Sequence, residues 1–136
     1  MVQRNFKKLY MKEYQLQKSI VNYIQLQYPN TLYCASAGGL RTSMTQAVRM
    51  KASGYKKGFP DLAICEPKVV NPKHDPFIYF HGLFLEVKTK KGRPTKEQLW
   101  WRDELNKRGY VAEIVYGFDE AVAVIDRYLN NKIRES

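Results

Sequence analysis

Apolar residues recur along the 136-residue chain with two different periods, which predict an alternation of helices and strands. The first helical period predicts a helix from about Lys12 to Tyr28, ending before Pro29 because the residue preceding a proline disfavours helical geometry. Ile20 and Ile24 lie on one face of this helix. Two turns before Ile20, the same face reaches Glu13, so the pattern places a carboxylate on an inward-facing stripe.

Elsewhere in the chain, apolar residues that alternate every second position predict strands, and segments with helical spacing between them predict further helices. The predicted strands are Thr31–Ala35, Leu62–Cys65, Phe77–Phe80, Leu83–Lys88 and Val111–Tyr116. We expect Glu66 to Pro76 to be irregular because it contains three prolines, and we expect a hairpin at His81-Gly82 between its flanking strands. Helices alternating with strands in this order predict an α/β fold, in which a small mixed sheet is flanked by helices.

Local capping signals delimit three further helices. Thr42 or Ser43 starts a helix over Ser43–Ser53, which Gly54 ends, while Thr95 and Gln98 form a capping box for a helix that Gly109 closes. Asp119 is the predicted N-cap of a last helix that reaches Asn130. The residues predicted on its buried face are Ala121, Val122, Ile125 and Leu129.

Length and composition indicate one domain over residues 1–136, with a core over about residues 10–130, because 44% of the residues are hydrophobic. No apolar run approaches the roughly 20 residues of a membrane span, and no apolar segment typical of a secretory signal follows the basic residues near the N-terminus. Cys34 and Cys65 stand alone, which predicts free thiols in a reducing, cytoplasmic environment.

The charge is strongly basic, with a formal net charge of +10. Lysines and arginines cluster over residues 4–12, 51–57 and 88–96, whereas residues 109–130 are close to balanced. Because a concentrated positive charge attracts polyanions, this distribution favours a nucleic acid as the partner over a merely solubilising surface.

Two carboxylates and a lysine lie in predicted strands next to the basic clusters. Asp61 follows Pro60 at the start of one strand, and Glu86 and Lys88 point to the same side of another because strand side chains alternate. If these strands are neighbours, the three side chains converge, and the carboxylates suit a hard cation such as Mg²⁺. Alternatively, Glu86 and Lys88 occupy a wet strand face and Asp61 an ordinary turn, although Phe84 on the same face as Glu86 suggests that this face is covered.

With these elements in order, the chain resembles the VRR-NUC (virus-type replication-repair nuclease) family of the PD-(D/E)xK nuclease superfamily. The segments that carry the resemblance are Glu13 in the first helix, Gly38-Gly39-x-Arg41, Lys51-Ala52-Ser53-Gly54, Gly58-x-Pro60-Asp61-Leu62, Glu86-Val87-Lys88 and Gln98. Glu-x-Lys alone is a weak motif, but the joint order is strong. The chain departs from the family's pattern in the long insertion between Asp61 and Glu86.

The resemblance implies a restriction-endonuclease-like core and a site for Mg²⁺ or Mn²⁺. Its implied metal ligands are Glu13, Asp61, Glu86 and the backbone carbonyl of Val87. Lys88 would orient the hydrolytic water and Gln98 would support the site from the next helix. Two alternatives give these residues structural roles without a part in catalysis. Glu13 could complement a helix dipole near a helix start, and the capping box accounts for Gln98.

Basic and aromatic side chains near these motifs are candidates for contact with nucleic acid. The predicted DNA-binding residues are Arg41, Lys56, Lys57, Lys90, Lys91, Arg93 and Lys96. Trp100 and Trp101 are adjacent on a helix and point about 100° apart, so we expect one in the core. The other would lie at the core edge, in an interface or on a base-stacking surface.

The resemblance further implies a structure-specific DNA endonuclease that cuts branched DNA such as a four-way (Holliday) junction as a homodimer, with a phage or prophage source. Trp100 or Trp101 and the segment Phe77–Leu83 are the first candidates for the dimer interface. The alternatives are a restriction-type or flap and single-strand nuclease on the same fold, or a non-catalytic basic module that binds nucleic acid. Dependence of cleavage on metal separates the enzymes from the module.

Overall fold

The structure, a computed structural model, describes the backbone of residues 2–36, 43–70, 73 and 78–130, and within these ranges the side chains from residue 12 onward. The elements of the described ranges are α1 (Val2–Gln27), β1 (Tyr33–Ala35), α2 (Met44–Ala52), β2 (Leu62–Ile64), β3 (Lys68–Val70), β4 (Ile78–Phe80), β5 (Leu83–Lys88), α3 (Lys96–Lys107), β6 (Val111–Tyr116) and α4 (Phe118–Leu129). None of the helices in these ranges combines the length and the apolar composition of a membrane span.

The central sheet has four strands in the order β1-β2-β5-β6. β2 pairs antiparallel with both β1 and β5, and β6 pairs parallel with β5, so the sheet is mixed. α1 and α4 contact each other and pack on β5. On the opposite face Phe84 contacts Phe59, which in turn contacts Trp101 of α3. The predicted α/β class, a small mixed sheet flanked by helices, is confirmed.

The core lies between the sheet and the pair α1 and α4. Its largest fully buried side chains are Ile20, Ile24, Leu62, Ile64, Leu83, Leu85, Ile125 and Val115. At the edge of this core the hydroxyls of Tyr23 and Tyr28 each donate a hydrogen bond of 2.7 Å to Oδ1 of Asp126. These bonds fix the C-terminal half of α1 against α4, which determines how α1 crosses the sheet.

The insertion between Asp61 and Glu86 contains a second, two-stranded sheet, in which β3 and β4 pair antiparallel. The prediction that residues 66–76 are wholly irregular is therefore wrong over Lys68–Val70. The predicted hairpin at His81-Gly82 is also wrong, because β5 uses both of its edges for β2 and β6, and β4 pairs with β3 instead. The buried ammonium of Lys68 donates to the backbone carbonyls of Arg127 and Tyr128 near the end of α4, which attaches this small sheet to the core.

α1 begins at Val2, ten residues before the predicted start at Lys12, and ends one residue before the predicted end. Residues 2–27 contain neither proline nor glycine, so no helix breaker interrupts the chain before Lys12. The apolar period that predicted the helix is recognisable in the sequence only from about Lys12 onward. Glu13 consequently lies in the interior of a long helix and not near its start.

The predicted capping signals are mostly confirmed. Both Ser43 and Thr95 form capping boxes, and Gly109 follows α3 with φ of +90°. The last helix is the exception, since Gly117 with φ of +87° is its N-cap and Asp119 lies in its first turn. Its buried residues are Ala121, Val124, Ile125 and Tyr128. Val122 and Leu129, which were predicted on the buried face, are only partly buried because the stripe follows the i, i+3, i+4, i+7 spacing from Ala121.

Candidate active site

The pairing of β2 with β5 brings Asp61 next to Glu86. Leu62 faces Leu85 in the antiparallel register, so one step further Asp61 faces Glu86. The Asp61 carboxylate accepts a hydrogen bond of 2.8 Å from the backbone N–H of Val87 and makes a side-chain hydrogen bond with Glu86. The two carboxylates that the sequence placed on separate strands are therefore in direct contact.

The turn before Asp61 packs against the start of α3. Gly58 has φ of +92°, and a Cβ added to it would lie 2.7 Å from the carbonyl carbon and from the Cβ of Glu97. Only glycine fits this turn, because both the conformation and the space exclude a side chain. Pro60 is buried beyond the turn and leads directly into Asp61. This packing explains why glycine and proline precede Asp61 at these spacings.

Pro60 also affects the backbone of Val87. Two steps beyond the pair of Leu62 and Leu85, the register of the two strands places Pro60 opposite Val87. Proline has no N–H, so it cannot donate to the Val87 carbonyl as another residue in an antiparallel ladder would. The carbonyl of Val87 is therefore left without this strand partner beside the carboxylates.

Glu86 and Lys88 are buried, with relative exposures of 6% and 9%. The wet-face interpretation of this pair is therefore wrong. Burial raises the pKa of Glu86 well above its usual range, and the hydrogen bond with Asp61 and the negative charge of Asp61 raise it further. The Lys88 ammonium acts in the opposite direction, which places all three groups within electrostatic reach of one another.

Glu13 of α1 belongs to the same cluster. Burial raises its pKa, the Lys88 ammonium lowers it, and the Asp61 carboxylate raises it. Since α1 begins at Val2, eleven residues earlier, the helix dipole does not account for this position, because that effect is confined to the first turn. α1 and β5 thus contribute one acidic side chain each, Asp61 comes from the position just before β2, and β5 adds the lysine.

The donor set of this cluster fits a hard divalent cation. Three carboxylates and a backbone carbonyl are all oxygen donors, the kind that Mg²⁺ and Mn²⁺ prefer. Among the described residues no three acidic, histidine or cysteine side chains are already at metal-ligand spacing. Burial and the negative charge of Asp61 raise the pKa of Glu86, and a bound cation would offset that charge. The thiols of Cys34 and Cys65 are free and exposed, as predicted.

The stem of Lys88 is held by the loop that follows β5. The backbone N–H of Gly92 donates to the carbonyl of Thr89 at 2.9 Å, so the loop turns back. A Cβ on Gly92 would lie 3.3 Å from Cβ and 3.4 Å from Cδ of Lys88. There is therefore little free space between Gly92 and the stem of Lys88.

Gln98 lies at the N-terminus of α3 and not within the cluster's hydrogen bonds. Its Oε1 accepts from the backbone N–H of Thr95 at 2.9 Å, and its own N–H donates to Oγ1 of Thr95 at 3.2 Å. The capping box therefore uses this side chain, as the alternative interpretation had it. The backbone of Gln98 packs against the turn that precedes Asp61. A Cβ added to Gly58 in that turn would lie 3.0 Å from the Gln98 backbone nitrogen.

The predicted DNA-binding residues fall into two groups on the described surface. Lys90, Lys91 and Arg93 are exposed on the loop after β5, next to the lysine of the cluster. A second group lines a surface cavity of about 550 Å³, whose walls are Lys56, Lys57, Lys96, Glu97, Trp100 and Trp101. Arg41 lies outside the described residues.

Sequence reasoning missed how this cavity is built. The indole N–H of Trp101 donates to the carbonyl of Lys57 at 3.1 Å, and its ring meets Phe59 at a centroid distance of 5.0 Å. Phe59 in turn contacts Phe84, which shares a strand face with Glu86. The signal was present as an aromatic residue at the variable position of Gly58-x-Pro60. Trp101 is the partly buried tryptophan of the pair and Trp100 the exposed one.

Comparisons with known proteins identify a family and a shared fold. A family model of the VRR-NUC domain matches residues 1–119. One similar solved structure is described as a VRR_NUC domain protein, with 24% identity, a TM-score of 0.66, and coverage of 87% of this chain and 88% of that chain. Another, described as a VRR_NUC domain, has 22% identity, a TM-score of 0.54, and coverage of 86% and 97%. At these identities the two structures show a shared fold. No curated protein matches the chain.

Proposed function

Because the chain belongs to the VRR-NUC family and has its nuclease-type fold, we propose that it is a metal-dependent endonuclease that hydrolyses phosphodiester bonds in DNA. The observation that carries the proposal is the buried cluster of Glu86 and Lys88 in contact with Asp61. A protein gains no stability from burying two carboxylates against each other, so the arrangement favours a functional explanation.

The proposed ligands of Mg²⁺ or Mn²⁺ are Glu13, Asp61, Glu86 and the backbone carbonyl of Val87. When bound, such a cation polarises a phosphoryl oxygen and lowers the pKa of a bound water. Glu86 must release its proton before it can act as a ligand, because only the carboxylate binds metal. The bond from the Val87 N–H holds Asp61 in place while this happens.

Lys88 is the proposed group that faces the reacting phosphate. Its ammonium donates hydrogen bonds and can orient a water or offset the charge that develops on phosphate oxygens. Since Lys88 is 9% exposed, little water screens this charge. The close approach of Gly92 leaves little free space beside the stem of Lys88.

Branched DNA is the proposed substrate, and a homodimer the proposed assembly. Exposed basic side chains flank the cluster along the chain, at Lys56 and Lys57 before Asp61 and at Lys90 after Lys88, and these are the proposed contacts with the phosphates of a bound strand. A four-way junction needs two cuts, and a two-fold dimer supplies two centres at a fixed spacing. The exposed side chains of Ile78 and Tyr79 are the proposed interface within the segment predicted from sequence.

The rival enzyme on this fold is a flap or single-strand nuclease. The observation that favours it is the exposed ring of Trp100 among lysines, since such a surface suits unpaired bases. A non-catalytic binding module is disfavoured by the same cluster that supports the enzyme. Carboxylates beside a phosphate repel it unless a cation intervenes.

The test is cleavage of linear duplex, single-stranded, flap and four-way-junction DNA with Mg²⁺, with Mn²⁺ or with EDTA. We expect metal-dependent cutting, and loss of cutting in Glu86→Gln and Lys88→Ala. Lys107→Ala is the matched control, because that exposed lysine pairs with Glu104 and lies outside the cluster. Full activity of either cluster variant, or equal cutting in EDTA, would contradict the proposal.

The substrate series separates the two enzymes. Paired, near-symmetric cuts on the four-way junction by a dimer support the junction-cutting assignment. Cutting restricted to flap or single-stranded DNA by a protein that sediments as a monomer would replace it with the rival enzyme. The nuclease assignment is retained in both cases.

A further inference from the structure

We propose that the cavity beside Trp100 is a subsite that stacks an unpaired base of the DNA strand bound at the carboxylate cluster. The proposal rests on the nuclease assignment for the identity of the strand and adds a recognition element to it. The cavity measures about 550 Å³ and is lined by Lys56, Lys57, Lys96, Glu97, Trp100 and Trp101. A volume of this size accommodates a small ligand of the dimensions of a nucleobase.

Trp100 supplies a ring that the fold does not use. Its relative exposure is 54%, and it meets the neighbouring Trp101 edge to face, with ring centroids 5.4 Å apart and planes at 84°. In such an arrangement Trp101 can meet at most one face of the Trp100 ring, so the other face is free of it. An exposed indole face is a stacking platform, because every base presents a π-face to it.

Trp101 fixes the platform in position. Its N–H bond to the Lys57 carbonyl and its contact with Phe59 attach α3 to the turn that precedes Asp61. A platform on a rigid helix loses little side-chain entropy when a base binds. The cavity is therefore preformed rather than dependent on rearrangement.

The cations around the cavity favour a nucleotide as its occupant. Three lysines and one glutamate line it, and three positive charges against one negative leave a local surplus of two. An apolar ring with cations at its rim matches a base flanked by phosphates, whereas an uncharged apolar partner would gain nothing from the lysines. Glu97 lies in the first turn of α3, where the helix dipole stabilises its charge.

The cavity is close enough to the cluster to bind the same strand. Lys57 precedes Asp61 by four residues, so their Cα atoms are at most about 14 Å apart. At about 3.4 Å per nucleotide along a strand, this distance corresponds to no more than about four nucleotides. A base stacked on Trp100 would therefore lie near the scissile phosphate, and it must be unpaired because duplex stacking hides both base faces.

The test is equilibrium binding in EDTA, which removes cleavage from the measurement. The probes are a single-stranded oligonucleotide, an oligonucleotide of equal length with abasic residues, and linear duplex. We expect Trp100→Ala to lower affinity for the single strand about 5- to 140-fold, to leave duplex affinity unchanged, and to equalise the normal and abasic strands. Trp100→Phe should retain most of the affinity because it keeps a ring.

Leu26→Ala is the control for loss of an exposed apolar side chain, since Leu26 is outside the cavity lining. Wild-type protein that binds the abasic and normal strands equally would overturn the subsite without reference to any variant. So would a Trp100→Ala loss that is the same for duplex and single strand. If the base preference is present but Glu86→Gln cuts like wild type, the subsite stands and the nuclease centre fails.

Discussion

Replacing Glu86 by glutamine should stabilise the metal-free protein at neutral pH and have no effect at acid pH. In the folded protein, burial and the neighbouring Asp61 raise the pKa of Glu86 well above the 4.5 of an unperturbed glutamate. Between that value and the folded pKa, the folded state therefore binds one more proton than the unfolded state. Stability falls as pH rises through this window, because deprotonation favours the unfolded chain.

The size of the effect follows from the width of the window. One proton of difference costs about 1.36 kcal/mol per pH unit, and pH 7 lies 2.5 units above 4.5, which amounts to about 3.4 kcal/mol. This is a ceiling, reached if Glu86 keeps its proton throughout. Glutamine keeps the shape and can donate to Asp61 as a protonated carboxyl does, without the linked cost. For 136 residues the gain corresponds to about 10 °C in Tm.

The assay is thermal unfolding in EDTA from pH 4.5 to 8 for wild type, Glu86→Gln and Glu113→Gln. Glu113 is the control because it lies on the neighbouring strand β6 and faces a cation where Glu86 faces a carboxylate. Its Oε2 is 3.6 Å from Nη2 of Arg127. We expect Glu86→Gln to gain stability over wild type as pH rises, and Glu113→Gln, which removes a carboxylate that faces a cation, to show no such gain. A pH-independent gap for Glu86→Gln would refute the reasoning.

Adding metal extends the same experiment. Mg²⁺ at 100 times its dissociation constant should stabilise wild type by about 2.7 kcal/mol, and the stabilisation should weaken as pH falls, because protons compete for Glu86. Glu86→Gln should lose most of this response. A metal response that is equal in both proteins would remove Glu86 from the ligand set.

Three further changes test separate parts of the site. Lys88→Ala should lower the cleavage rate at least about 100-fold, yet keep the Mg²⁺-induced rise in Tm, since the lysine is not a ligand. Glu13→Gln should weaken Mg²⁺ affinity without lowering stability in EDTA, and a titration of cleavage rate against metal measures this; an unchanged titration would remove Glu13 from the ligand set. Gly58→Ala should destabilise more than Gly54→Ala in urea unfolding. Both have positive φ and share a backbone cost of about 1–2 kcal/mol, but only at Gly58 would the Cβ meet other atoms, so equal losses would contradict the packing argument.

The local features of the fold were predictable because they depend on neighbouring residues. Ser43 and Thr95 each form a capping box with the residue three positions on; the sequence predicted the box at Thr95 and an N-cap at Thr42 or Ser43. Strand partners depend on which edges are free in three dimensions. His81-Gly82 has the composition of a turn, but β5 is central in the sheet, so the hairpin that a local pattern favours does not form.

The candidate site likewise contains features that the sequence predicted and features that only the structure shows. Strand periodicity was enough to place Glu86 and Lys88 on one side, and the contact with Asp61 then required only that β2 and β5 be adjacent. The start of α1 had to be known before Glu13 could be separated from a helix-dipole role. No sequence period identified the cavity at Trp100, because it forms where α3 packs over a turn about forty residues away in the chain.

The turn at Gly58 lies between the carboxylate cluster and the cavity at Trp100. Its contact with Glu97 sets the distance between the start of α3 and the strand that carries Asp61. The carbonyl of Lys57, one residue earlier, holds Trp101 and through it the platform of Trp100. In the proposed complex, the position of a stacked base relative to the scissile phosphate would therefore depend on one short segment. A side chain at Gly58 should shift α3 against β2, so it should impair cleavage of strands with unpaired bases more than it impairs metal binding.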